Sequence, residues 1–131
     1  MKRFDKNNRN ELKEYLYNSC VHDAILEKVE YGCNDDSVQI ELYNPIFRFK
    51  INMTFRSMKV ALAIKCAEFG CSSTVNSLTM EDDYSYLYTY ISTRTEFSEG
   101  SFYLLFQMIS GDELHIVCEE VIVETDSNHK C

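Results

Sequence analysis

The residue pair with the most chemical potential is His22-Asp23. Adjacent imidazole and carboxylate can ligate a divalent ion, as in metal-dependent phosphohydrolases built on a His-Asp doublet. Such a centre needs a further histidine upstream and a distant aspartate on a helical scaffold. No histidine precedes His22, and the chain reads mostly as strands. A structural role is the stronger expectation: Asp23 bonding turn amides and His22 packing against a sheet. A nucleophile pair of Cys20 with His22 lacks a third, orienting group at recognisable spacing. His115 stands between Leu114 and Ile116 and points away from them, and His129 lies near the end. The four glycines, at 32, 70, 100 and 111, form neither a phosphate loop nor a Gly-x-Ser-x-Gly elbow. The acid clusters Asp35-Asp36 and Glu81-Asp82-Asp83 lack the alternating oxygen ligands around a glycine that calcium loops use. No catalytic residue, metal site or cofactor is therefore expected.

Binding chemistry is better represented. Tyr84, Tyr86, Tyr88 and Tyr90 occupy every second position. On a strand they would form one aromatic face, apolar in body and polar at the tip. Such a face suits a half-wet sheet surface, and tyrosine is also enriched at interface hot spots. The acidic turn Glu81-Asp82-Asp83 lies beside it. Net charge is −8, with +3 in residues 1–13 and −11 in the rest. That field disfavours nucleic acid and anionic membranes and favours a basic protein partner.

The elements that would position these groups are legible from periodicity. Residues 9–18 have a helical stripe at Leu12, Tyr15 and Leu16, with Asn8 or Asn10 as cap and Asn18-Ser19 as the end. Period two then dominates. Strands are expected over 24–31, over 37–43 with Val38, Ile40 and Leu42 on one face, over 47–55 with Phe47 to Phe55 alternating, and over 58–64. Asn34 to Ser37 and Asn44-Pro45 supply turns. Residues 74–80 read as a strand. For 84–94 the helical spacing of Tyr84, Leu87, Tyr88 and Ile91 also works, but the Tyr, Thr and Ile content favours a strand. Phe102 to Ile109 is apolar on both faces and should be a covered central strand. Ser110-Gly-Asp-Glu113 turns it into a hairpin with 114–123, and Glu119-Glu120 marks a bulge or a charged edge. Asp126 to Cys131 should fray.

The 131 residues suit a single domain, 1–131. The start of the chain has no apolar stretch behind its charges, so a cytoplasmic address and six free cysteines, structural or incidental, are expected. The fold class expected is α+β: a mostly antiparallel, twisted sheet or partial barrel of seven or eight strands with an N-terminal helix.

The stretch Cys20-Val-His22-Asp23-Ala24-Ile25-Leu26-Glu27-Lys28-Val29, a charged turn, Val38-Gln-Ile-Glu-Leu42 and the later Ser110-Gly-Asp-Glu-Leu114-His-Ile-Val-Cys118 hairpin resemble a group of small bacterial proteins. These open with a short helix and a His-Asp pair, followed by a strand meander. Some are regarded as immunity proteins of toxin systems. The resemblance covers residues 15–65 and 102–124 and leaves the tyrosine segment without a counterpart. It implies a non-catalytic protein that binds a partner such as a toxin, and it carries over no catalytic residue. Two other readings are a small-ligand or structural module with a curled sheet, and a hydrolase using His22 and Asp23.

Overall fold

A computed structural model describes residues 1–17, 20–32, 35–65, 73–92 and 95–126. Nine strands occur among them: β1 (Lys2–Phe4), β2 (Ile25–Tyr31), β3 (Val38–Asn44), β4 (Phe49–Arg56), β5 (Val60–Ile64), β6 (Val75–Glu81), β7 (Phe102–Met108), β8 (Glu113–Cys118) and β9 (Glu120–Thr125). One α-helix, α1 (Arg9–Tyr17), follows a 3-10 turn at Lys6–Asn8, and a second 3-10 turn spans Leu87–Thr89. The fold is mostly antiparallel and compatible with α+β. The strands form two sheets rather than one sheet or a closed barrel. Sheet A has the order β1-β9-β4-β3-β2, and sheet B the order β5-β8-β7-β6.

Two-residue alternation places one face of each sheet inside. Val38, Ile40 and Leu42 of β3 and Phe49, Ile51, Met53 and Phe55 of β4 are buried, while Gln39, Lys50 and Asn52 face solvent. Sheet B contributes Leu78, Met80, Phe102, Leu104, Phe106, Leu114 and Ile116 to the same core. Phe55 and Phe106 meet edge-on across the two sheets, with centroids 6.2 Å apart. Burying such side chains is the main favourable term in folding, about 1.5–3 kcal/mol each.

Helix α1 runs between edge strands β1 and β6 and inserts Leu12 and Leu16 into the core. The turn leading into it is capped by Asp5 rather than by Asn8 or Asn10: Asp5 Oδ1 accepts the Asn7 amide at 2.8 Å, and Asn8 Oδ1 accepts the Asp5 amide at 2.6 Å. The expected stop at Asn18-Ser19 lies outside the described residues.

Several expectations need correction. The strand read over 47–55 starts at Phe49. Phe47 lies in the preceding turn with Arg48 at φ 59°, and it is exposed. Asn44 organises that turn, its Oδ1 accepting the amides of Ile46 (2.9 Å) and Phe47 (3.0 Å). The 114–123 strand is two strands. The apolar phase shift at Glu119-Glu120 marks the passage of the chain from sheet B into sheet A, not a bulge. Nor does Glu120 guard an edge, because β9 is enclosed by β1 and β4. Its carboxylate instead meets Arg3 (2.7 Å) and Arg56 (3.5 Å). The helix expected from residue 9 is present as α1, and the basic residues before it add a strand, β1, that the sequence reading did not include. Cys20 is disulfide-bonded, which overturns the free-thiol expectation there. Cys118 is free and buried, and the other four cysteines lie outside the described residues.

Candidate functional site

The β7–β8 hairpin turns at Gly111, whose φ of 95° suits a residue without Cβ. Its register pairs Tyr103 with Val117, Leu105 with His115 and Gln107 with Glu113. Alternation sets these six side chains on the outer face of sheet B, opposite the core. That face is apolar at Leu105 and Val117, so something must cover it.

The cover is the tyrosine segment, and it is not a strand. Asp83 Oδ1 accepts the Ser85 amide at 2.7 Å and starts a helical turn, in which the Tyr88 amide donates to the Tyr84 carbonyl and the Ile91 amide to that of Leu87. The stripe Tyr84, Leu87, Tyr88, Ile91 faces inward. Leu87 is fully buried in a second cluster with Tyr103, Leu105 and Val117. Tyr84 stacks on Phe97 (4.8 Å) and on Tyr103 (5.6 Å). Tyr88 donates to the Thr95 carbonyl at 3.0 Å. The strand expectation failed because tertiary packing on an uncovered sheet face outweighs weak β propensity. The aspartate before the run is a helix-start signal that was available in the sequence.

The four tyrosines therefore divide into an inner pair and an outer pair. Tyr86 and Tyr90, 40% and 44% exposed, meet at the surface with rings 5.6 Å apart and nearly perpendicular. Each ring also lies 5.4 Å from the His115 ring. Tyr86 Oη donates to the Glu113 carboxylate, 2.7 Å from each oxygen. Hydrogen bonds with Tyr90 and Glu113 raise its pKa well above that of an ordinary phenol. His115 is fully buried, with Nδ1 2.6 Å from Tyr103 Oη and Nε2 3.1 Å from Glu113 Oε1. The imidazole thus links the Tyr103 hydroxyl to the Glu113 carboxylate through its two ring nitrogens. Burial raises the Tyr103 pKa, with Glu81 and Glu113 adding to the effect. Sequence reasoning missed Glu113, His115 and Tyr103 as a constellation, because only the fold brings the cover over them.

The remaining expected residues are apart from this centre. Asp82 pairs with Lys13 at 2.5 Å, which holds its pKa below the usual carboxylate range. Hydrogen bonds from Ser85 do the same for Asp83. Glu81 is half-buried at the end of β6 and accepts from Thr79 Oγ1 at 3.2 Å. His22 and Asp23 are both exposed, 3.8 Å apart. His22 does not pack against the sheet as expected. Asp23 adopts φ 68° and donates its amide to the Val75 carbonyl at 2.8 Å, tying the start of β2 to that of β6. Among the described residues no three His, Cys, Asp or Glu side chains come together as a metal-binding group.

A cleft of about 530 Å³ opens between edge strands β2 and β5, lined by Leu26, Val29, Ala63, Ile64, Met108 and Leu114 among others. A smaller hollow of about 340 Å³ is lined by Asn76, Gln107, Met108, Ile109, Gly111 and Glu113.

Comparison with protein-family models, curated proteins and solved structures gave no match.

Proposed function

We propose that this is a non-catalytic binding protein with an immunity-like role, which holds a basic protein partner against the tyrosine-covered face of sheet B. The observation that supports the reading best is the Tyr86–Tyr90 corner. Two large amphipathic rings stand half-exposed, and Tyr86 is anchored to Glu113 above a buried His115. Rigid aromatic groups of this kind lose little entropy when a partner covers them. The contact face is narrower than the sequence suggested. Tyr84 and Tyr88 support the cover from inside, Asp82 is engaged by Lys13, and Glu81 and Asp83 flank the face. The net charge of −8 speeds encounter with a cationic surface at low salt. The fully buried imidazole of His115 makes the Tyr103–His115–Glu113 chain a support rather than a reactive centre.

The disulfide at Cys20 favours an oxidising compartment over the cytoplasm expected from the sequence. No helix among the described residues is long and apolar enough to cross a membrane. The β2–β5 cleft supports a second reading, a small-ligand module, since its volume falls within the range of ligand pockets.

Affinity capture with the wild-type chain and with a Tyr86→Ala/Tyr90→Ala variant, compared quantitatively, tests the reading. A basic protein retained at low salt should be lost from the variant by roughly tenfold or more, the weight of two hot-spot side chains. Co-expression with that protein should relieve its toxicity. Equal capture by both baits removes the tyrosine corner as the contact.

A further inference from the structure

We infer that edge strand β5 receives an extended peptide strand from another protein, one with apolar residues at alternate positions between two acidic ends. This surface is distinct from the tyrosine corner, and the inference does not rest on the reading above. A sheet edge is a row of unpaired N–H and C=O groups, and folds blunt it with brevity, charge, a bulge or a cover. Three of the four edges here carry such devices. β1 has three residues, two of them basic. β2 holds Glu27, Lys28 and Glu30 and shifts register between Leu26 and Lys28. β6 shifts register between Val75 and Ser77 and has α1 packed against it. β5 has none of them. It reads Val60-Ala-Leu-Ala-Ile64, pairs with β8 in unbroken register, and among the described residues has no strand on its other side.

The core is also incomplete beside β5. Sheet A has five strands and sheet B four, and the cleft of about 530 Å³ opens between β5 and β2. Ala61 packs toward the main core, whereas Val60 and Leu62 pack in the second cluster. Alternation therefore turns Lys59, Ala61, Ala63 and Lys65 to the cleft side. The two alanines leave room there, and Leu26, Val29, Met108 and Leu114 make the walls apolar. A strand added to β5 pairs its backbone with the open edge and drops alternate side chains into that space, as in other cases of strand addition. A small apolar molecule would fill the cleft without using the edge. Lys59 and Lys65 stand exposed at the two ends of β5. Asp112 and Glu113 line the Lys65 end of the cleft, but neither forms an ion pair with Lys65. Acidic residues at matching spacing on the incoming strand meet both lysines. The same lysines disfavour a second copy of this chain. Antiparallel self-pairing about Leu62 sets Lys59 of each copy against Lys65 of the other, and like charges directly opposite destabilise a strand pair.

The test uses the whole isotope-labelled protein and the peptide acetyl-Glu-Thr-Leu-Thr-Leu-Thr-Glu-amide, followed by NMR. The peptide should give saturable shifts and slowed hydrogen exchange at the β5 amides, with shifts at Leu26 and Val29 across the cleft. N-methylation of two consecutive peptide amides, one of which must face β5, should weaken binding roughly tenfold. A peptide with lysine in place of both glutamates should bind severalfold more weakly. Lys59→Glu/Lys65→Glu, at two exposed positions, should reverse that order. No saturable binding, equal binding of the N-methylated peptide, or an unchanged order in the charge-reversed variant overturns the inference. Shifts in the cleft without protection of the β5 amides also overturn it and leave a small-ligand site. A concentration-dependent dimer whose β5 amides are already protected overturns it in favour of a second copy.

Discussion

Tyr103 illustrates at the residue scale why a hydroxyl is retained on an otherwise apolar face. Its ring stacks in the second cluster between Tyr84 and His115, and its Oη is hydrogen-bonded to His115 Nδ1 at 2.6 Å. Tyr103→Phe keeps the ring and strands a ring nitrogen in a fully buried site, which costs about 1–3 kcal/mol. Urea unfolding should show that loss as a lower midpoint with an unchanged slope. A midpoint within error of wild type would mean that Nδ1 has another hydrogen-bond partner. The direction of His115 was legible, because alternation puts it opposite Leu114 and Ile116. Its burial was not, because the residues that seal it lie about 25 positions upstream. For His22-Asp23 the reverse holds. The doublet attracts attention in the sequence, yet the fold uses the backbone of Asp23 and leaves both side chains in solvent.

At the scale of elements, the tyrosine segment shows two periodicities competing over one stretch. Tyr84, Tyr86, Tyr88 and Tyr90 fit a strand, and Tyr84, Leu87, Tyr88 and Ile91 fit a helical turn. An isolated turn would be marginal in water. It forms here because Leu87 and Tyr84 bury themselves against Leu105, Val117 and Tyr103. Leu87→Ala should therefore cost about 2–5 kcal/mol, as for other fully buried leucines. Tyr86→Ala should cost markedly less, since its ring is half-exposed. Denaturant unfolding of the two variants separates the arrangements. Comparable small losses would contradict the packing of this segment as a cover. The division of residues 113–125 between two sheets was also half-legible. The apolar phase shift at Glu119-Glu120 was visible, but a shift of phase marks a bulge, an edge or a change of sheet alike, and only the pairing partners decide among them.

For the whole molecule, charge and burial act together. Three basic N-terminal residues are engaged by the chain itself, Arg3 by Glu120 and Lys13 by Asp82 at the surface, while Arg9 donates to the Ser101 carbonyl at 2.8 Å. The excess negative charge therefore stays on the rest of the body. Buried acids of very weak acidity make the fold sensitive to alkali. Desolvation pushes the Cys118 thiol from its ordinary 9.0 up to about 12, and it raises Tyr103, Tyr84 and Tyr15 above the ordinary phenol value. Between pH 9 and 12 the unfolded thiol gives up its proton while the folded one keeps it. The native state then binds more protons than the unfolded state, so stability falls as pH rises. The contribution is fully present below pH 9 and declines by up to about 1.4 kcal/mol per pH unit for that group. Urea midpoints measured from pH 8 to 11 should fall steadily above 9, and Cys118→Ala should flatten the first part of that fall. A flat profile would show that the thiol ionises in place.

The sequence by itself determined the strand-rich, antiparallel character of this protein, the N-terminal helix, the β7–β8 hairpin with its Gly111 turn, and the inner faces of β3 and β4. Local periodicity and turn chemistry are properties of neighbouring residues, and they survive without knowledge of the whole. Tertiary structure alone decided that the strands divide into two sheets, that β1 closes an edge of one of them, and that the tyrosine segment is a helical cover. It also gathered Tyr86, Tyr90, Tyr103 and Glu113 around the His115 ring. Those outcomes depend on which apolar face remains open after the local elements form, and the free energy of covering it is written in no single stretch of the chain.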